Sequence, residues 1–183
     1  MSALALSRQH RQRLGLKGPR AAQWLAANGI DLPLAPNTWM EAPAASAAQA
    51  LLVARLGNSE FFLEDAPSGT TLERIAPSLQ EHAAGVYPVL REDWAFVLCG
   101  AGVHEVLAQV CNVNFAALKL ATRPLIMTLM IGVAVLVVPQ SASGDPGAAI
   151  YRIWCDPTFG PYLLESVGEV VSECGGSYTG VSQ

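Results

Sequence analysis

The feature that most constrains this chain is an internal duplication. The stretch LGLKGPRAAQWLAANGIDLP, Leu14 to Pro33, returns 82 positions later as FVLCGAGVHEVLAQVCNVNF, Phe96 to Phe115. In each copy a short apolar run meets a glycine-containing turn, Lys17-Gly18-Pro19 and then Cys99-Gly100-Ala101-Gly102. An amphipathic helix follows, with Trp24-Leu25 matching Val106-Leu107, and then an exit segment, Ile30-Asp31-Leu32 matching Val113-Asn114-Phe115. Phe61-Phe62-Leu63-Glu64 before a helix near Thr70 matches Tyr151-Arg152-Ile153-Trp154 before a helix near Thr158. A residue that recurs at the same place in both copies is explained first by architecture, and only afterwards by chemistry.

The spacing of apolar residues and turn signals predicts an α+β domain of two similar βαββα halves, 14–83 and 86–175, within a single domain over 14–176 and preceded by an N-terminal arm over 1–13. Leu14–Leu16 reads as a strand, and Pro19 suits the first turn of a helix that stops at Asn28-Gly29. Residues 31–49, rich in Pro and Ala, read as a loop. Ala50–Leu56 and Glu60–Glu64 read as a hairpin, and Thr70–Ala83 as an amphipathic helix with Leu72, Ile75 and Leu79 on one face. In the second half, Val86–Leu90 and Trp94–Leu98 suggest another hairpin, followed by a helix from Gly102. Ile126–Met130 and Val133–Val138 pair around Ile131-Gly132, and Ala149–Trp154 is a further strand. Asp156-Pro157-Thr158 opens the last helix, Asp156 as its N-cap. The final seven residues read as a frayed end.

Composition narrows the function. The chain has 183 residues, 51% of them hydrophobic and only 14% charged. That is apolar for a free-standing surface and points to coverage by another subunit. A net charge of −4 with two lysines excludes the clustered basic face that nucleic acid requires. The one basic cluster, Arg8, His10, Arg11 and Arg13, reads as a tail that is solvated or docked on a partner. Four cysteines, Cys99, Cys111, Cys155 and Cys174, have no C-x-x-C spacing and read as reduced residues of a cytoplasmic protein. No signal peptide is evident at Ser2–Leu6. Leu125–Val138 is strongly apolar but too short to span a bilayer, which takes about 20 residues.

No catalytic constellation emerges. Gly100-Ala101-Gly102-Val103-His104-Glu105 resembles the start of a dinucleotide fingerprint, but Glu105 stands where the third glycine belongs. His104 and His82 lack a second ligand at metal spacing. Asp31, Glu64 and Asp156 are candidate carboxylates, though strand ends and caps explain them as well. Cys111 reads as a packed thiol with no cation to activate it. Trp24, Trp94 and Trp154 fit core positions. Trp39, in a Pro-rich loop, either plugs that loop or anchors a partner. Trp39 and Pro36, with Arg11 and Arg13, are the candidate partner-binding residues; no catalytic, cofactor or metal residue is assigned.

Taken in order, certain segments resemble a family. They are Gly15-Leu16-Lys17-Gly18-Pro19 with Trp24-Leu25, then Leu34-Ala35-Pro36-Asn37-Thr38-Trp39, and the hairpin ending Phe61-Phe62-Leu63. Phe96-Val97-Leu98-x-Gly100 with Val106-Leu107-Ala108-x-x-Cys111, Met127-Thr128 and the Tyr151–Gly160 junction follow. Over about residues 14–175 this layout is similar to the gamma subunit of heterotetrameric sarcosine oxidase and to the small subunit of N-methylglutamate dehydrogenase. That family looks like a trimmed form of the folate-binding aminomethyltransferase domain. The resemblance implies a non-catalytic subunit without a cofactor of its own. Its partners would be the alpha, beta and delta subunits, chiefly the large folate-binding alpha subunit, and they would hold FAD, FMN, NAD, tetrahydrofolate and zinc. A stand-alone folate-binding aminomethyltransferase-like protein is the alternative. Pro157 departs from the family, in which a basic residue follows the aspartate.

Overall fold

The computed structural model describes residues 3–42, 50–80, 84–142 and 145–178. The chain is of the α+β class and divides into two compact units, His10–Arg91 and Met1–Gln9 with Glu92–Gln183. The first is built from β2 (Arg13–Lys17), α1 (Ala21–Ala27), β3 (Thr38–Ala42), β4 (Leu51–Arg55), β5 (Glu60–Glu64), α2 (Thr71–Gln80) and β6 (Tyr87–Val89). The second holds β1 (Ala5–Gln9), β7 (Trp94–Cys99), α3 (Val103–Val110), β8 (Ile126–Met130), β9 (Val133–Ala142), β10 (Asp145–Cys155), α4 (Gly160–Glu173) and β11 (Ser177–Tyr178).

The strand orders correspond. The His10–Arg91 unit carries a sheet ordered β3-β4-β5-β2-β6, and the other unit a sheet ordered β8-β9-β10-β7-β1-β11. From α1 to α2 and from α3 to α4 three strands intervene, so each half has one strand more than βαββα. The addition in the first half is β3, in the segment read as a loop. Its residues alternate Trp39 and Glu41 against Met40 and Ala42 and pair with β4, Trp39 opposite Ala54. The flanking prolines masked this period of two; Pro43 and the rest of 43–49 lie outside the described residues.

Further differences concern strand partners. Tyr87–Val89 does not form a hairpin with Trp94–Cys99. Instead β6 pairs with β2, Tyr87 opposite Lys17, while β7 pairs with β1, Ala5 opposite Cys99. These two registers are the same one displaced by the repeat of 82. The supposed arm is therefore part of the duplication: β1 is the counterpart of β6, each placed beside the first long strand of a sheet. Ser177 and Tyr178 likewise leave the frayed end to join β1 in parallel register.

Packing follows the pleat. In β5, Phe61 and Leu63 face α1 and α2, packing with Leu16, Leu25, Val53 and Ile75, while Phe62 and Glu64 occupy the opposite face, also buried. In the second unit, Val106 and Leu107 of α3 and Leu163, Leu164 and Val167 of α4 cover Phe96, Leu98, Tyr151 and Ile153. The β8–β9 hairpin turns at Ile131 (φ 47°) and Gly132 (φ 80°), the left-handed pair that a two-residue hairpin loop requires.

Candidate functional site

Three carboxylates stood out in the sequence, and each has surroundings of its own. Asp31 is exposed after α1. Asp156 accepts a hydrogen bond from the Thr158 amide at 2.8 Å, and the Thr158 hydroxyl first, then this amide, lower its pKa, as a cap should. Glu64, 1% exposed at the end of β5, is held by Arg13 Nε at 2.6 Å and lies 3.8 Å from Arg11 Nη1. Arg13 is opposite Glu64 in the β2–β5 register, so strand pairing itself delivers the guanidinium. A carboxylate paired in this way is committed to the β2–β5 seam, where losing either partner would leave a buried charge.

Asp65, which the sequence reading missed, is also buried. Its Oδ2 accepts from the Leu72 amide at 2.9 Å. Burial raises its pKa, opposed by hydrogen bonds from the Leu72 and Thr71 amides. It caps α2 from across the Asp65-Ala-Pro-Ser-Gly-Thr70 turn. The spacing is wider than an ordinary N-cap, which is why a search for local capping patterns passes over it.

In the second unit, exposed His104 shares a 2.7 Å hydrogen bond with the hydroxyl of fully buried Tyr151, and Phe115 packs edge-on to the Tyr151 ring. This pair is not repeated, because Phe61 takes the Tyr151 position in the other unit. Burial pushes the Tyr151 pKa up to about 12 from the usual 10. The neutral phenol is the form favoured by folding. Its contribution is complete below pH about 10 and is lost as the pH rises to about 12, a change worth about 2–3 kcal/mol. Tyr151→Phe is expected to flatten the fall in stability over that window, measured by urea unfolding at stepped pH; an unchanged slope would count against it.

Two of the thiols, Cys155 and Cys99, are unsuited to nucleophilic work. Burial pushes Cys155 up to about 11, with the Asp93 and Asp156 carboxylates adding to the effect, and burial also raises Cys99. Cys111 is buried, its sulfur 3.8 Å from the Thr128 hydroxyl. Among the described residues no three His, Cys, Asp or Glu side chains gather closely enough to hold a metal. His82 lies outside the described residues. No helix of the described residues is long and apolar enough to cross a membrane.

The candidate docking residues separate. Arg11 and Arg13 converge on Glu64, whereas Arg8 stacks 3.7 Å from the Trp94 ring centroid. Trp39 is buried in β3 at 8% exposure, so in this chain it closes the sheet face rather than projecting from a loop. Pro36 remains exposed, and beside it Leu34 is 99% exposed. Residues 34–37 are thus the part of the candidate surface that faces solvent.

No family model matches the sequence, and no curated protein does. Solved structures do match in fold. A chain of heterotetrameric sarcosine oxidase from Corynebacterium sp. U-96, in complex with pyrrole 2-carboxylate, aligns with TM-score 0.69 and 21% identity, over 97% of this chain and 87% of that one. The glycine cleavage system aminomethyltransferase T from Bartonella henselae aligns with TM-score 0.67 and 15% identity, over 98% of this chain but 48% of that one. The fold is aminomethyltransferase-like. This chain spans about half the length of the transferase it resembles.

Proposed function

We propose that this chain is the non-catalytic gamma subunit of a heterotetrameric, flavin-dependent sarcosine oxidase, supporting oxidative demethylation of sarcosine by its partner subunits. The observation that carries this reading is mutual coverage: 97% of this chain aligns with 87% of the sarcosine oxidase chain. That match takes in most of a chain of similar length, whereas the transferase match takes in 48% of a longer one. The side-chain chemistry agrees with it. Glu64 is neutralised by arginine, Asp156 and Asp65 are caps, and Cys155 and Cys99 are held as thiols. In this reading FAD, FMN, NAD, tetrahydrofolate and zinc are held by the alpha, beta and delta subunits, in the cytoplasm, with the alpha subunit as the principal contact.

The chain purified alone is expected to be colourless and to oxidise no sarcosine. The tagged chain recovered from its source cells is expected to co-elute with three further chains and a flavin absorbance spectrum. A yellow, active preparation of the isolated chain would overturn the reading, and so would a lone colourless band of 19.3 kDa from those cells. The aminomethyltransferase alignment favours a second reading, a stand-alone folate-binding protein. Saturable tetrahydrofolate binding by the isolated chain, measured by calorimetry, would select it.

A further inference from the structure

A single exposed leucine is ordinary on a protein surface. Leu34 differs because the loop beneath it is fixed from several sides. The Arg55 guanidinium donates to the carbonyls of Pro33 at 3.1 Å and Leu34 at 2.9 Å, and to those of Gly57 at 3.2 Å and Asn58 at 3.3 Å. The Thr38 hydroxyl donates to the Ala35 carbonyl at 2.6 Å. The Asn37 amide donates to the Arg55 carbonyl at 2.8 Å, with Asn37 in the left-handed region at φ 57°. Pro33 and Pro36 restrict the backbone further. Successive carbonyls from 33 to 35 thus have partners, and the side chain they present is 99% exposed.

The duplication shows that this clamp is not required by the architecture. Arg55 lies opposite Phe61 in the β4–β5 register, and the residue opposite Tyr151, the counterpart of Phe61, is Pro139. A proline side chain cannot make these bonds, yet the β9–β10 pairing forms around it. Among the described residues, Arg55 contacts backbone carbonyls and the face of Phe61, and no carboxylate neutralises it. Met127 and Leu129 of β8 are also exposed, but they lie on a strand held by ordinary pairing with β9 rather than on a loop fixed by a guanidinium.

We infer that the loop 33–37 is a preformed docking knob. Leu34 enters an apolar socket on a partner subunit, and the rim of that socket carries a carboxylate facing Arg55. This rests on the subunit reading above. The apolar side chain supplies the buried area, the guanidinium selects the charge of the rim, and the fixed loop reduces the ordering that binding would otherwise require.

The test uses the tagged full-length chain in its source cells, reading flavin absorbance recovered per mole of tagged chain, for wild type, Leu34→Asp and Leu34→Lys. Circular dichroism and the thermal midpoint of each purified variant are expected to match wild type, since Leu34 touches no core. Leu34→Asp should weaken flavoprotein retention about tenfold or more, the scale set by exposing one leucine. Leu34→Lys should lose less, because its ammonium can reach the acidic rim. Flavoprotein retained in full by Leu34→Asp overturns the docking knob while leaving the subunit reading intact. Equal losses in the Asp and Lys variants overturn the acidic rim. If wild type itself recovers no flavoprotein, the subunit reading fails and the knob with it.

Discussion

Glu64→Ala is expected to destabilise the His10–Arg91 unit by about 3–5 kcal/mol, the usual loss when one member of a buried ion pair is removed. The magnitude follows from what remains. The Arg13 side chain is 7% exposed and Arg11 is 19% exposed, so neither guanidinium recovers full hydration when the carboxylate is gone. Because the pair is buried, the loss should persist in 1 M salt, where an exposed pair would already be screened. Urea unfolding followed by circular dichroism measures it directly. A loss below about 1 kcal/mol would mean that the pair behaves as a surface contact. The double replacement Glu64→Leu with Arg13→Met should recover part of the loss, since the desolvation penalty of both charges is then removed.

Gly100→Ala is expected to be similarly damaging, by about 3–5 kcal/mol, for a reason confined to the backbone. Gly100 has φ +104°, and a Cβ there would overlap the carbonyl of Ala3 and crowd the Leu4 backbone, where β1 enters the sheet. Neither obstacle is a flexible side chain. Gly29→Ala separates the two contributions, because Gly29 has φ +75° with nothing within 4 Å of the added carbon. It should lose only about 1 kcal/mol, the cost of the left-handed conformation alone. Equal losses at Gly29 and Gly100 in thermal unfolding would show that φ, not the contact with β1, governs this turn. Gly18, one repeat earlier, meets the Gly85 backbone in the same manner, so Gly18→Ala should resemble Gly100→Ala.

Much of the local structure was legible. The apolar runs ending at Gly18 and Gly100 are strands entering left-handed turns, and the helices after them are α1 and α3. Asn28-Gly29 and Cys174-Gly175 stop helices, with Gly29 at φ 75° and Gly175 at φ 78°. Asp156 caps the turn that leads into α4. Each depends on residues within a turn or two of one another, where a side chain's conformational preference acts directly on its own backbone. The site was less legible. Glu64 could be seen as a charge at a strand end, but not as buried against arginine. Arg55 closes a strand with no pattern to mark it, and its four carbonyl partners lie on segments up to 22 residues away.

The sequence alone determined the strand–turn–helix segments at Gly18 and Gly100 and the apolar face of α2 with Leu72 and Ile75. The β4–β5 and β8–β9 hairpins were legible too, but tertiary structure alone decided the pairings between strands distant in sequence. A period of two states which face of a strand is apolar, but backbone amides and carbonyls are the same at every strand edge. For that reason β1 and β6, both written beside the strand that follows them, are each placed next to a different one, β7 and β2. The same blindness turned Trp39 from a loop residue into a sheet residue, since its partner Ala54 is chosen by long-range pairing. Leu34 stays outside because the bonds fixing its loop are made by backbone carbonyls, whose partners no residue type in the loop announces.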